Sequence, residues 1–242
     1  MIIYDFPLLI SCLSLLLFLP AQATAQATNH PLRLVIIGDS TVCNYPTNGI
    51  QRGWGQYLQG YFTEDVMVLN LAKSGRSTKT FIKEGLWQKA LAEKPDVVLI
   101  QFGHNDSHSP GKSEATDART DYREYLRRYI DDARAIHSTP ILITPMVRRD
   151  FGRDGTLKDN LQLYADAMKQ VAAEKHVPVV DLHASSRRLV ESLGPTASED
   201  MASKPGDNTH FNARGAKAMA GLVMQQLPAA DPALASHLRK QN

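Results

Sequence analysis

The sequence has little of what marks several specialised classes of protein. It has two cysteines in 242 residues, aromatic residues make up 7%, and 27 basic side chains nearly balance 25 acidic ones. Two cysteines cannot supply a disulfide framework or a cysteine-rich zinc site. A net charge of +2 without a run of one sign excludes the concentrated basic surface of a dedicated nucleic-acid binder. The apolar content of 43% is instead typical of an ordinary globular protein.

A hydrophobic run near the N-terminus is too short for a comfortable membrane span. The run Leu8–Leu19 carries no charge, ends at Pro20, and is followed by alternating small residues over 21–27. A spanning helix needs about 20 apolar residues, whereas a short run before a small-x-small site is typical of a secretory signal peptide. We therefore predict that residues 1–27 are a signal peptide and that the mature protein is secreted or periplasmic, without membrane association. An uncleaved anchor is the alternative, because the leading segment carries Asp5 and no basic residue.

The rest of the chain alternates short apolar runs with helical patterns. Five runs are predicted as strands: Arg33–Ile37, Val66–Asn70, Asp96–Gln101, Pro140–Thr144 and Val177–Asp181. Apolar residues spaced three to four apart predict three helices: Asp117–His137, Lys158–Lys175 and Asn212–Gln226. Pro228 and Pro232 then predict a loosely ordered tail. Strands that are apolar throughout suit a parallel sheet covered on both faces. We therefore predict one α/β domain over residues 31–242, a three-layer α/β/α sandwich with a five-stranded parallel sheet.

Four polar blocks lie where the predicted strands end or where the last helix begins. Ser40 follows the first strand, Gly75 lies in the loop after the second, and Asn105 follows the third. Asp207 precedes His210 by three residues, just ahead of the last helix. Taken singly, each block has an ordinary explanation in turn formation or helix capping. Together they offer a nucleophile, donors for an oxyanion, and a base with an orienting carboxylate at one sheet edge, which predicts acyl transfer.

These four blocks, in this order, resemble those of the SGNH (GDSL-type) hydrolase superfamily, whose fold is a flavodoxin-like α/β/α sandwich. The match runs from Ile37 to Phe211, with Thr41 in place of the family's usual leucine. The segments GDSTVC, SGRS and FGHND, which begin at positions 38, 74 and 102, are similar to those of rhamnogalacturonan acetylesterases. Those enzymes remove acetyl esters from the galacturonate residues in the branched regions of pectin.

The resemblance implies a covalent acetyl-enzyme mechanism and a role for each matched residue. Ser40 is implied as the nucleophile, His210 as its general base, and Asp207 as the residue that orients His210. The backbone N–H groups of Ser40 and Gly75, together with the Asn105 side chain, are implied as the oxyanion hole. The implied substrate is an acetylated polysaccharide or oligosaccharide, and neither a cofactor nor a metal is implied.

Two arginines after the fourth strand bear on the class of substrate. Arg148 and Arg149 lie near the same edge of the predicted sheet. Galacturonate is a carboxylate, and arginine pairs with carboxylates in a fork geometry that lysine cannot match. We predict that one of the two arginines binds an acid group of the polymer. An exposed charge pair in a long loop is the alternative.

Other functions stay open on the sequence alone. The same site is compatible with a broad-specificity GDSL-type esterase or lipase that acts on lipid or short-chain aryl esters. A non-catalytic flavodoxin-like binding module is a second alternative, although the loop at Ser40 lacks a glycine-rich phosphate pattern. His104 and His108 are four residues apart, but Pro110 argues against the helix that a metal-binding pair at this spacing needs. The sequence says nothing about oligomeric state.

Overall fold

The computed structural model describes Met1 and residues 31–239, and a parallel sheet forms its centre. The predicted signal peptide, residues 1–27, lies outside the described residues apart from Met1. Five strands form the sheet: β1 (Leu32–Gly38), β2 (Val66–Asn70), β3 (Val97–Gln101), β4 (Thr139–Ile143) and β5 (Val179–Val180). Their order is β2-β1-β3-β4-β5, and every neighbouring pair is parallel. The predicted five-stranded parallel sheet is therefore confirmed.

Helices cover both faces of the sheet, which explains why the strands are apolar without alternation. Along β1, Leu34 and Ile36 pack into one layer while Val35 and Ile37 pack into the other, and all four are fully buried. One layer contains α1 (Thr78–Lys83), α2 (Leu86–Ala92), α3 (Asp121–Ala135) and α4 (Gln162–Lys175). The other contains a 3-10 helix (Trp54–Tyr61), α5 (Leu182–Glu199), α6 (Ala213–Ala230) and α7 (Pro232–Ala235). None of the helices within the described part of the chain is long and apolar enough to cross a membrane.

The three predicted helices are present as α3, α4 and α6, but the last strand is shorter than predicted. Asp181, expected at the end of that strand, is instead the N-cap of α5, and its carboxylate accepts from the N–H of Ala184 at 3.0 Å. A side-chain acceptor at this position satisfies an otherwise free N–H of the first helical turn. The strand therefore stops at Val180, and the chain turns directly into a helix.

The C-terminal tail is ordered as far as residue 239, so the prediction of a loosely ordered tail is wrong for that part of the chain. Helix α6 continues through Pro228, and α7 begins at Pro232, where a first-turn proline lacks only an N–H that the helix does not use. Leu234 of α7 is 1% exposed. The backbone N–H of Thr63 donates to the carbonyl of His237 at 2.9 Å. Apolar contact and backbone hydrogen bonds thus stabilise a segment that its prolines had predicted to be loosely ordered.

The register of the strands brings several loops to one edge. Ile36 of β1 pairs with Asn70 of β2, and Gly38 pairs with Gln101 of β3, so these strands end side by side. β2 lies on one side of β1, and β3 lies on the other. Such a switch in strand order opens a crevice at the carboxyl ends of the strands. The four polar blocks of the sequence lie in loops at this edge.

Candidate active site

Ser40 lies two residues beyond the end of β1, at the crevice. A Cβ added to Gly38 would lie 2.6 Å from the carbonyl oxygen of Gln101 and 2.7 Å from Cγ2 of Val42, so the close approach here requires glycine. The Ser40 Oγ atom lies 3.0 Å from Nε2 of His210. Ser40 is 7% exposed, which leaves its hydroxyl at the floor of the crevice and not on the open surface.

A buried polar network supports the turn that carries Ser40. The Oδ1 atom of Asp39 accepts from the N–H and from the hydroxyl of Thr41, both at 2.8 Å. The same hydroxyl accepts from Nε2 of Gln101 at 3.1 Å, and Gln101 accepts from the indole N–H of Trp54 at 2.7 Å. A threonine hydroxyl can donate and accept at once, which a leucine at this position cannot do. Thr41 therefore links the turn at Ser40 to β3 through hydrogen bonds.

The carboxylate of Asp207 is fully engaged around His210. Its Oδ2 atom lies 3.0 Å from Nδ1 of His210 and accepts from the hydroxyl of Ser203 at 2.7 Å. Its Oδ1 atom accepts from the backbone N–H groups of His210 at 2.9 Å and of Thr209 at 3.0 Å. Burial acts to raise the pKa of Asp207, but these donors outweigh it and hold the pKa well below its usual range. An ionised Asp207 that accepts from Nδ1–H leaves Nε2 of His210 as an acceptor toward Ser40.

Gly75 and Asn105 come together through their loops. Gly75 has a φ of +79°, in the left-handed region that favours glycine. In the same loop, the N–H of Lys73 donates to the carbonyl of Gly38 at 2.9 Å. The side-chain Nδ2 of Asn105 donates to the carbonyl of Arg76 at 2.9 Å. The loop after β2 is therefore joined to the turn at Ser40 on one side and to Asn105 on the other.

Asp106 anchors the loop next to Asn105, a role that was not predicted from the sequence. Its carboxylate accepts from the N–H of Thr78 at 3.1 Å, from the hydroxyl of Thr78 at 2.5 Å, and from the hydroxyl of Thr116 at 2.9 Å. Asp106 is fully buried, and burial raises its pKa to about 7 despite the hydrogen bonds from the two threonines. A loop aspartate is too common in sequences for its burial to be predicted.

Two further side chains at the site were missed for a similar reason. The hydroxyl of Tyr45 donates to the carbonyl of Ser40 at 2.9 Å, so it holds the backbone of the turn. The hydroxyl of Ser203 binds Asp207 as described above. Neither residue lies in a recognisable block, because each depends on a contact that only the folded chain creates.

His104 and His108, which are four residues apart, point to different carboxylates. Nδ1 of His104 lies 3.4 Å from Oδ2 of Asp39, with both side chains buried. Nδ1 of His108 lies 2.7 Å from Oε1 of Glu114 near the surface. Burial lowers the pKa of His104 below its usual value, although Asp39 opposes the shift. Among residues 31–239, no group of three or more histidine, cysteine, aspartate or glutamate side chains could hold a metal ion.

Arg148 and Arg149 both reach the site, but their guanidinium groups already bind backbone carbonyls. Arg148 is half-buried, and its Nη2 donates to the carbonyl of His104 at 2.9 Å. Arg149 is 6% exposed, and its Nη2 donates to the carbonyls of Asp207 at 2.7 Å and of His210 at 2.8 Å. The burial of Arg149 does not support a contact between this residue and a substrate carboxylate. Nor is Arg149 part of an exposed charge pair, which was the alternative.

A hydroxyl, an imidazole and a carboxylate thus form a hydrogen-bonded series at the carboxyl edge of a parallel sheet. Serine hydrolases use this series: the histidine removes the proton of the hydroxyl, and the carboxylate orients the histidine. The α/β/α fold and this hydrogen-bonded series together place the protein in the class of serine hydrolases.

Comparison with known proteins narrows the class to one family and confirms the predicted superfamily. The chain belongs to the GDSL-like lipase/acylhydrolase family, whose model matches residues 36–218. It is 37% identical over 224 residues to a rhamnogalacturonan acetylesterase of Bacillus subtilis, a match that covers 86% of this chain and 94% of that protein. The protein is therefore a serine esterase, a carboxylic ester hydrolase.

Solved structures agree with this assignment of the fold. The crystal structure of the YxiM protein of Bacillus subtilis superposes with a TM-score of 0.72 at 29% identity, over 82% of this chain and 56% of that one. An acetylxylan esterase from Geobacillus stearothermophilus superposes with a TM-score of 0.63 at 21% identity, over 82% of this chain and 94% of that one. The second likeness bears on the fold alone.

Proposed function

We propose that this esterase removes acetyl groups from a pectic polysaccharide of the rhamnogalacturonan type through a covalent acetyl-enzyme. The observation that carries the proposal is the 3.0 Å distance between Ser40 Oγ and His210 Nε2 at the crevice. A 37% identical relative named a rhamnogalacturonan acetylesterase, and a 25% identical relative named an acetylxylan esterase, support an acetylated polysaccharide as the substrate class.

The chemistry follows from the order of the groups. Nε2 of His210 takes the proton of Ser40 as Oγ attacks the ester carbonyl, and the ionised Asp207 stabilises the imidazolium that forms. The oxyanion accepts from the N–H groups of Ser40 and Gly75 and from Nδ2 of Asn105. The imidazolium then gives its proton to the departing sugar hydroxyl. His210 then takes a proton from water as the water attacks the acetyl-enzyme, and it returns that proton to Oγ of Ser40 as the acetyl–Oγ bond breaks and acetate is released.

The proposal that the polymer is acidic rests on Arg148. Arg148 is half-buried, and its guanidinium contacts the loop that carries Asn105 through the carbonyl of His104. A guanidinium in this position suits a galacturonate carboxylate, because a charge-assisted hydrogen bond is stronger than a neutral one. We assign this contact to Arg148 and not to Arg149, whose side chain is buried.

Acetate release from a panel of esters tests the proposal. The panel contains acetylated rhamnogalacturonan fragments, acetylated xylan, and p-nitrophenyl esters of two, four and eight carbons, with Ser40→Ala as the inactive control. We expect acetylated rhamnogalacturonan to be the best polymer and acetate the best acyl group. Faster hydrolysis of the eight-carbon ester would favour a lipase of the same family instead. Equal rates on both polymers would favour a general acetylesterase.

We further propose that residues 1–27 are removed during export, so that the enzyme acts outside the cytoplasm. The support is the uncharged run Leu8–Leu19 followed by small residues. The intact mass of protein from the periplasm or the medium tests this, with cleavage after a small residue within 21–27 expected. Full-length protein confined to the membrane fraction would contradict it.

A further inference from the structure

A single arginine underlies the loop that carries Asp207 and His210. The Nη2 atom of Arg149 donates to the carbonyls of Asp207 at 2.7 Å and of His210 at 2.8 Å. The backbone N–H of Arg149 donates to the carbonyl of Asn208, also at 2.7 Å. One residue thus binds three of the four successive carbonyls of the loop 207–210. Both side-chain contacts come from Nη2, whose two N–H donors serve one carbonyl each.

The Arg149 guanidinium lies in surroundings where a charged group costs stability, so packing alone does not explain its presence. It lies over the ring of Phe211, with its central carbon 4.5 Å from the ring centroid. The Nε and Nη1 atoms of Arg149 are buried without a hydrogen-bond partner among the described residues. A buried cation with unpartnered donors costs stability that an apolar side chain of similar size would not cost. Such a group needs an explanation beyond the stability of the fold.

The two adjacent arginines bind different loops of the site. Nη2 of Arg148 donates to the carbonyl of His104, in the loop of Asn105, while Arg149 reaches the loop of His210. The segment after β4 therefore contacts both halves of the site, and Arg149 serves the half that holds the base.

We propose that Arg149 is a positioning residue that holds Asp207 and His210 in register with Ser40 and does not touch the substrate. This inference rests on the roles proposed above for Ser40 and His210. Its physical basis is that the loop carbonyls are fixed to the segment after β4, so that the imidazole cannot drift from the hydroxyl. A displacement of about 1 Å in a catalytic group can cost about 100-fold in rate.

The test measures kcat and KM of Arg149→Met and Arg149→Lys on neutral p-nitrophenyl acetate and on acetylated rhamnogalacturonan fragments. Methionine fills the space without a donor, and lysine keeps the charge but not the fork. We expect Arg149→Met to lose about 10–100-fold in kcat on both substrates with little change in KM, and Arg149→Lys to lose less. Arg214→Met is the control, because Arg214 is an exposed arginine whose partner is Asp200 at 3.4 Å. We expect it to match the wild type.

A second measurement separates positioning from general damage to the fold. In an Asp207→Ala background, Arg149→Met should cost less than about threefold, because the imidazole has already lost the carboxylate that orients it, and fixing the loop then no longer fixes the ring. In an Asn105→Ala background, it should keep its full effect. The rate at which a fluorophosphonate labels Ser40 should fall in parallel with kcat, since labelling needs the base but no sugar.

Three results would overturn the inference while leaving the proposed function intact. These are wild-type kcat in both Arg149 variants, a loss confined to KM on the acidic substrate, or a full additional loss in the Asp207→Ala background. If Arg149→Met does not fold, Arg149→Lys decides alone by the same criteria. Full activity of Ser40→Ala and His210→Ala would instead contradict the proposed function itself.

Discussion

The Oγ atom of Ser40 and the Nε2 atom of His210 lie 3.0 Å apart although 170 positions separate them in the chain. A backbone bridge next to the site accounts for part of this proximity. The N–H of Arg52, in the loop that follows Ser40, donates to the carbonyl of Phe211 at 2.8 Å. The hydroxyl of Ser40 and the imidazole of His210 are therefore within hydrogen-bonding distance, which is the arrangement that the proposed nucleophile and base require.

We expect Ser40→Ala to lower kcat on p-nitrophenyl acetate by more than about 1000-fold, because no other hydroxyl takes the place of the nucleophile. Fluorophosphonate labelling followed by peptide mass spectrometry should mark Ser40 in the wild type and nothing in the variant. Ser192→Ala is a suitable control, since Ser192 is an exposed serine of α5. Wild-type turnover in Ser40→Ala, or a label on another residue, would show that the nucleophile lies elsewhere.

Asn105→Ala tests the role proposed for Asn105 as an oxyanion donor. The substitution removes an amide N–H from the crevice and also the hydrogen bond to the carbonyl of Arg76. We expect kcat to fall about 100–1000-fold with little change in KM, because the donor acts on charge that develops only in the transition state. Asn105→Asp keeps the shape but opposes a negative oxyanion, so its loss should be at least as large. A loss below about threefold, or one seen only in KM, would assign Asn105 to structure alone.

Much of the fold was predictable because local patterns determine it. Strands covered on both faces must be apolar throughout, and the amphipathic spacing of α3 and α4 is visible in the sequence. The ordered tail was not predictable, because the burial of Leu234 depends on a surface formed by distant segments. Prolines signal the end of a helix only when tertiary contacts do not outweigh them.

The candidate site likewise contains residues that the sequence predicts and residues that it does not. Ser40, Asn105 and His210 each follow a strand or precede a helix, so topology alone predicts that they meet. Ser203 and Asp106 support them through contacts with Asp207 and Thr78 that have no local signature. The burial of Arg149 was likewise invisible, because a charged residue in a loop is ordinarily exposed.

Asp207→Ala should cost less than Ser40→Ala, because the serine and histidine remain while only the orientation and charge support are lost. We expect kcat to fall by roughly 100-fold or more with KM nearly unchanged. Asp207→Asn is the sharper comparison. Its amide can donate to Nδ1 of His210 and so favours the wrong tautomer. If Asp207→Asn were as active as the wild type, the carboxylate would have no part in orienting His210.

Asp106→Asn tests the buried carboxyl beside Asn105. Because the folded state raises the pKa of Asp106 from 3.8 to about 7, it binds a proton that the unfolded chain releases. The associated stability is full below pH about 4 and is lost as the pH rises through about 7. We therefore expect the free energy of unfolding of the wild type to fall by about 2–3 kcal/mol relative to Asp106→Asn between pH 5 and pH 8. Urea unfolding at both pH values measures the difference, and parallel pH dependences would contradict it.

Arg148→Ala tests whether an acidic polymer is recognised by charge. A carboxylate bound by the half-buried guanidinium predicts that KM on acetylated rhamnogalacturonan rises about 10-fold or more, because a charged hydrogen bond is lost. Acetylated xylan, which is neutral, should show only the smaller loss that follows from releasing the carbonyl of His104. The ratio of the KM change on rhamnogalacturonan to that on xylan decides the question, because a general loosening of the loop would raise both KM values alike. Added salt should reduce the preference of the wild type for the acidic polymer and leave that of the variant unchanged. Equal losses on both polymers would exclude a carboxylate contact and would give Arg148 a role like that of Arg149.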